Sequence, residues 1–252
     1  MKLTTPLVAS MGALLLVGAL FLSLFLSSAP YRPGDVVTPS ETTETPDSEE
    51  IAGRNLEIVG SAAVDAENVQ RVIASLSRAD SYTATVTSRL YYGETSGVRV
   101  CRQSVKNGAY RVDTLTASGT VDYTELLYGG VCYAWRSGAD SYYRGTQGDF
   151  TTDQGAMLPT YETVIDLPAE QVTGGALIEE NGEQLLTVDI RDGDSVGVYK
   201  VSVSTGLLRA ASFSEGGKMT RSVEVTVSIE EPADAMFVLP GQTVPVYGAA
   251  EQ

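Results

Sequence analysis

The side chains that could do chemistry in this chain are few in kind. Histidine is absent from all 252 residues. That removes Ser-His-Asp and Cys-His nucleophilic catalysis, and with it the usual imidazole zinc sites. Cysteine occurs only at Cys101 and Cys132, with no CxxC pair, so neither a thioredoxin-like centre nor a zinc ribbon is encoded. A disulfide joining Cys101 to Cys132 would close a loop of about 30 residues and contribute roughly 3–4 kcal/mol by loop entropy. The other reading is two free, half-buried thiols, each alternating with polar neighbours on its strand. Asp189, Asp192 and Asp194 crowd one turn, but no Glu stands at the EF-hand distance, and turn chemistry accounts for Asp192-Gly193-Asp194. No phosphate-cradling Gly-rich loop and no GxSxG motif occur. The expectation is a non-enzymatic protein without metal or cofactor. A hydrolase with two carboxylates about 5–10 Å apart in a cleft is the enzymatic alternative.

Aromatic residues gather between Tyr123 and Phe150, with Tyr133 and Trp135 among them. Such side chains can wall an apolar pocket or pack as an ordinary sheet face. Net charge is −15, which argues against nucleic acid as a partner, since phosphate binding needs clustered Lys and Arg. Apolar content of 43% is that of a globular chain.

These residues are positioned by three successive regions. Residues 1–29 contain an uncharged stretch from Leu7 to Leu26 that spans roughly 30 Å as a helix, the thickness of a bilayer core. Lys2 precedes it and acids dominate the residues on its C-terminal side, which places the N-terminus in the cytoplasm and the rest outside. A cleaved signal is the rival reading, but the apolar run is long for one, and Pro30 would come directly after the cut at Ala29. The expectation is a single-pass anchor in the cell membrane. Residues 30–54 read as a disordered acidic linker rich in Pro, Ser and Thr, unable to bury enough apolar surface to order itself. Residues 55–247 then form one extracytoplasmic domain.

Within that domain Val69, Val72, Ile73 and Leu76 fall at helical spacing, predicting a helix over 65–78 with Asp65 at its start. From residue 81 the period becomes two. Tyr82, Ala84, Val86, Leu90 and Tyr92 share one strand face. Asn107-Gly108 and Asn181-Gly182 are hairpin signals. The last strand places Met219, Val223, Val225, Val227 and Ile229 on one face, with Arg221 the exception. Pro159 and Pro168 bracket TYETVIDL, room for one or two helical turns. Short connections predict about nine or ten strands paired in order. The fold class is mainly β (α+β): a leading helix, a large curved antiparallel meander and a short helical lid.

The stretch from Tyr199 to Gly241 resembles the C-terminal part of the LolA superfamily of bacterial lipoprotein carriers. Thr205-Gly206-Leu207 matches that family's strand-ending turn, and Phe237-Val238-Leu239-Pro240 matches its Phe-x-x-Pro ending. In architecture the resemblance covers roughly residues 60–245. It implies an unclosed half-barrel with an apolar concave side lidded by short helices, binding lipid, an acyl chain or a lipoprotein. Other members act as envelope sensors or structural partners, which makes protein–protein binding the alternative. The lining would then include Tyr82, Val86, Leu90, Tyr133, Trp135, Met157, Val223, Val225 and Val227. Whether that side is an open cavity or a filled core reads the same in sequence. This chain departs from the carriers in its anchor.

Overall fold

The computed structural model describes residues 48–61, 63–146 and 158–248. The segment from Leu7 to Leu26, the linker up to residue 47, and Met157 lie outside the described residues. Among the described residues no helix is long and apolar enough to cross a membrane.

Helix α1 (Ser48–Gly60) opens the described chain. Its buried residues Ile51, Asn55 and Val59 recur every four positions, one stripe facing the sheet. Residues 48–54 of the expected linker are therefore helical. Glu49 and Glu50 occupy the first turn, where the helix dipole favours acids, so the same charges that read as linker serve as a helix start. Helix α2 (Val69–Ser75) is shorter than the expected 65–78, yet its periodic residues behave as the spacing requires. Val69 and Ile73 are fully buried, and Leu76 is buried just past the end. Asp65 Oδ1 accepts from the backbone N–H groups of Glu67 (2.9 Å) and Asn68 (3.1 Å), organising the turn before the helix.

Among the described residues, eleven strands form one antiparallel sheet: β1 (Tyr82–Tyr92), β2 (Thr95–Lys106), β3 (Ala109–Leu115), β4 (Val121–Tyr128), β5 (Val131–Arg136), β6 (Tyr143–Thr146), β7 (Val172–Glu180), β8 (Glu183–Asp192), β9 (Ser195–Ser202), β10 (Leu208–Glu215) and β11 (Lys218–Ser228). Their order is β6-β5-β4-β3-β2-β1-β11-β10-β9-β8-β7. This is not one meander paired in chain order. It is two meanders joined where β1 pairs with β11, with β6 and β7 at opposite edges of an unclosed sheet. Short hairpins fix neighbours only within each half. The connection from β6 to β7, residues 147–171, carries helix α3 (Tyr161–Ile165) and leads from one edge to the other. The two halves meet along their most regularly apolar strands, with Ala84 opposite Val227 and Val86 opposite Val225.

The two Asn-Gly hairpins form as the sequence predicts. Both residues have positive φ, 50° and 73° at Asn107-Gly108 and 54° and 80° at Asn181-Gly182, a turn whose twist matches the flanking strands.

The core divides in two. The larger cluster joins α1, α2 and α3 to one face of the sheet through residues such as Val59, Ile73, Val164, Leu186, Val201 and Val223. We call this the inner face. A smaller cluster of Ala109, Leu126, Phe237, Leu239 and Val246 lies on the opposite, outer face, where residues 232–248 cover β3, β4 and β5. Those strands are thus buried on both faces, whereas alternation in the sequence predicts one wet face throughout.

Candidate binding site on the inner face

Strand register assigns each candidate residue to a face. Tyr82, Ala84, Val86 and Ser88 of β1 align with Val227, Val225 and Val223 of β11 and with Cys101, Gln103 and Val105 of β2. All stand on the inner face. There α2 lies so close that a Cβ on Gly175 would sit 2.4 Å from the Asp65 carbonyl oxygen and 2.7 Å from Val69 Cβ. Only glycine allows that approach.

Two side chains fasten the helices. Gln70 Nε2 donates to the carbonyls of Val164 (3.0 Å), Ile165 (3.2 Å) and Leu167 (2.8 Å), holding the C-terminal end of α3 against α2. Arg78 donates to the carbonyls of Ile73 (2.6 Å), Leu76 (2.7 Å) and Gly206 (2.9 Å), and its guanidinium lies 3.7 Å over the Tyr161 ring. Burial lowers the Arg78 pKa from its ordinary value. Asn55 ties α1 in, donating to the carbonyls of Ser77 and Val203 at 2.9 Å each.

Between α3 and the sheet is a cavity of about 20 Å³, walled by Tyr82, Ala84, Gln103, Pro159, Thr160, Tyr161, Leu207, Leu208, Val225 and Val227. That holds about one water molecule. Among the described residues, the inner face beneath α3 is therefore closely filled, with room for about one water. Burial, reinforced by the Glu162 charge, pushes the Tyr82 phenol up to about 12. Burial raises Tyr110 and Tyr161 further, so all three phenols stay neutral around pH 7. Gln103 Nε2 donates to Tyr110 Oη at 2.8 Å.

Of the expected lining residues, Tyr82, Val225 and Val227 meet at this cavity. Val86 and Val223 lie deeper, in closed core. Leu90 is 42% exposed toward the far end of β1. Tyr133 and Trp135 are on the outer face, opposite Leu126 and Thr124, and pack in the smaller cluster. Their alternation with Cys132 and Ala134 puts them there, because a strand cannot present neighbouring residues to one side. Sequence reasoning misses Gln103, Leu207, Leu208 and Tyr161. The signal for Gln103 is its place two residues from Cys101 on one strand face.

The cysteines are free and buried. Cys101 aligns with Thr114, Tyr123 and Arg136 across β3, β4 and β5, four residues from Cys132. That separates them by roughly 14 Å across the strands and about 13 Å along them, far beyond the ~7 Å Cα limit of a disulfide. Burial raises both thiols.

The outer face is closed differently. Arg111 and Asp113 form an ion pair (2.8 Å), and Thr124 donates to Asp113 Oδ1 at 2.6 Å. Arg111 also donates to the Met236 carbonyl and lies 5.7 Å over Trp135. At the rim Lys106 pairs with Glu231 (2.8 Å) and Asp234 (2.5 Å), and Tyr247 donates to Asp234 (2.8 Å). The Phe-x-x-Pro signature is thus the part of the C-terminal strap that plugs Phe237 into the outer cluster.

No protein-family model matches the sequence, and no curated protein does. Solved structures do resemble the fold. One is an uncharacterized conserved protein from Thermus thermophilus, 10% identical over 75% of this chain and 90% of that one, with a TM-score of 0.40. Another is a LolA superfamily protein from Nitrosomonas europaea, 13% identical over 75% of this chain and 97% of that one, TM-score 0.33. A third is a domain described as an outer membrane lipoprotein-sorting protein from Vibrio parahaemolyticus, 12% identical over 70% and 91%, TM-score 0.28.

Proposed function

We propose that this protein is a non-enzymatic binding protein of the cell envelope, anchored through Leu7 to Leu26 with its domain outside the cell membrane, and that it takes the acyl chain of a lipid or lipoprotein on the inner face. The observation that carries the reading is the void beneath α3, where apolar walls from both halves of the sheet meet a thin cover. Its 20 Å³ is far below the ~300–1,000 Å³ of a small-molecule site. An acyl chain therefore enters only as α3 swings away. The cover suits this: α3 has five residues, buries only Val164, and is held by three Gln70 hydrogen bonds and one stacked arginine. Segments with few buried contacts open at the low end of the stability range. The test is mass spectrometry of lipids that copurify with the full chain extracted from bacterial membranes. Acylated species at stoichiometric levels support the reading; their absence sinks it.

A second reading, binding of an envelope protein, is favoured by a different observation. Leu90, Tyr92 and Met219 are 42%, 66% and 48% exposed near the tips of the β1–β2 and β10–β11 hairpins. Exposed apolar clusters of this kind mark contact surfaces. In-cell crosslinking from position 92 that recovers a single envelope protein would favour it over lipid binding.

A further inference from the structure

The two edges of the sheet differ. β6 has four residues, and shortness is one way that proteins blunt an edge. β7 has nine, without proline, lysine or arginine. The Asn181-Gly182 turn fixes which of its backbone groups are spent. A two-residue turn of this kind is closed by a pair that exchanges both N–H···O bonds, here Glu180 and Glu183. The direction alternates from there. Ile178 and Ala176 turn their N–H and C=O groups toward β8, and Glu179, Leu177 and Gly175 turn theirs outward. Among the described residues no backbone hydrogen bond reaches that outer side. Leu177 also stands 40% exposed there. Outward N–H and C=O groups at every second residue are what an added antiparallel strand recognises.

The side chains select the strand. Gly174 and Gly175 occupy one half of β7, and Glu179 and Glu180 the other. About a two-fold axis at Leu177, Glu179 of each copy falls opposite Gly175 of the other, and Glu180 opposite Gly174. Ile178 then meets Ala176, and Leu177 meets Leu177. Every acid faces a glycine, the apolar residues face each other, and all three outward-facing residues pair. Glu180 is already neutralised by Lys200. Sliding the axis toward Gly175 would bring the two α2 helices, each lying against its own Gly175, to about 5 Å from each other, where packed helices need about 8–10 Å. Sliding it toward Glu179 would set carboxylate against carboxylate.

We propose that β7 is a dimerisation edge: two copies of this chain pair antiparallel through residues 175–179, centred on Leu177, and join their sheets into one. The pairing uses the edge and neither face, so it is independent of what the inner face binds. The full chain in mild detergent is followed by light scattering and by amide hydrogen exchange over a concentration series. Salt is held where a Debye length of about 8 Å screens the net charge of −15 on each copy. The expected result is a reversible monomer–dimer equilibrium, with the amides of Gly175, Leu177 and Glu179 exchanging more slowly as dimer forms. Leu177→Pro removes one outward N–H, leaves the bonds to β8 in place and should abolish the dimer. If Trp135 emission shows that this variant does not fold, Leu177→Lys carries the same test. It keeps every backbone group, sets two ammonium groups together at the axis and should weaken the dimer at least about tenfold. A chain that stays monomeric overturns the proposal. So does a dimer that survives a folded variant, as one held through Leu7 to Leu26 would. Slow exchange at the three amides that is independent of concentration, from a foreign strand that copurifies, also overturns it.

Discussion

The two faces of this sheet bury comparable kinds of apolar residue, but their covers differ in how much apolar surface anchors them. On the inner face, helices are tied down by neutral and cationic side chains reaching backbone carbonyls: Asn55, Gln70 and Arg78. Among the described residues no ion pair joins a helix to the sheet on that side. On the outer face, the C-terminal strap is fixed by a buried aromatic, Phe237, by Arg111 donating to the Met236 carbonyl, and by exposed ion pairs from Lys106 to Glu231 and Asp234. Carbonyl clasps are individually modest and can be remade after opening. Pulling the fully buried Phe237 ring back into water costs about 1.5–3 kcal/mol, a larger penalty. The difference assigns the movable cover to α3 and the permanent seam to the strap.

The largest expected effect breaks the seam. Phe237→Ala removes a fully buried ring from the smaller cluster and should destabilise by about 3–5 kcal/mol. Trp135 is the only tryptophan and belongs to that cluster, so a red-shifted emission and a lowered urea midpoint report the loss. A midpoint within error of wild type would mean that the strap is dispensable. Next in size is Gly175→Ala, which drives a methyl into the Asp65 carbonyl and Val69. Overpacking of this sort costs about 1–3 kcal/mol, and the loss should appear as a lowered thermal midpoint with Trp135 emission unchanged in the folded state.

A smaller effect sharpens the contrast. Gln70→Ala frees the carbonyls of Val164, Ile165 and Leu167 and should cost about 1 kcal/mol or less globally. Its signature is local: faster amide hydrogen exchange within residues 161–167, with residues 234–247 unchanged. Exchange that rises equally in both segments would contradict separate covers. The smallest effect is acid release at the strap rim. Lys106, then Tyr247, hold the Asp234 carboxyl below its ordinary value of 3.8. A depressed carboxyl favours the docked strap above pH 3.8 and loses that contribution as pH falls through the lowered value. Trp135 emission should begin to shift below that pH in wild type and not in Asp234→Asn.

Much of this was legible in the residues. Period-two alternation, the Asn-Gly hairpins and the Val223-Val225-Val227 stripe pointed to the strands and the inner face. The features that stayed hidden have physical causes. The β1–β11 junction depends on which strands meet after a long connection, and no local turn encodes that. Tyr133 and Trp135 read equally as pocket walls or as sheet-face packing, because aromatic type is visible in sequence and the covering strap, about a hundred residues later, is not. Residues 48–54 read as linker because acids at a helix N-terminus and acids in a spacer are the same letters. Gln103 passed unnoticed because a buried amide and an exposed one differ only in what surrounds them.

The most direct test of binding beneath α3 is photo-crosslinking of the full chain with an acyl ester bearing a diazirine on its chain. Peptide mapping should place the adducts on Tyr82, Leu208, Val225 or Val227, the walls of the void. Adducts confined to Leu90, Tyr92 and Met219 at the hairpin tips, or no adducts at all, would contradict it.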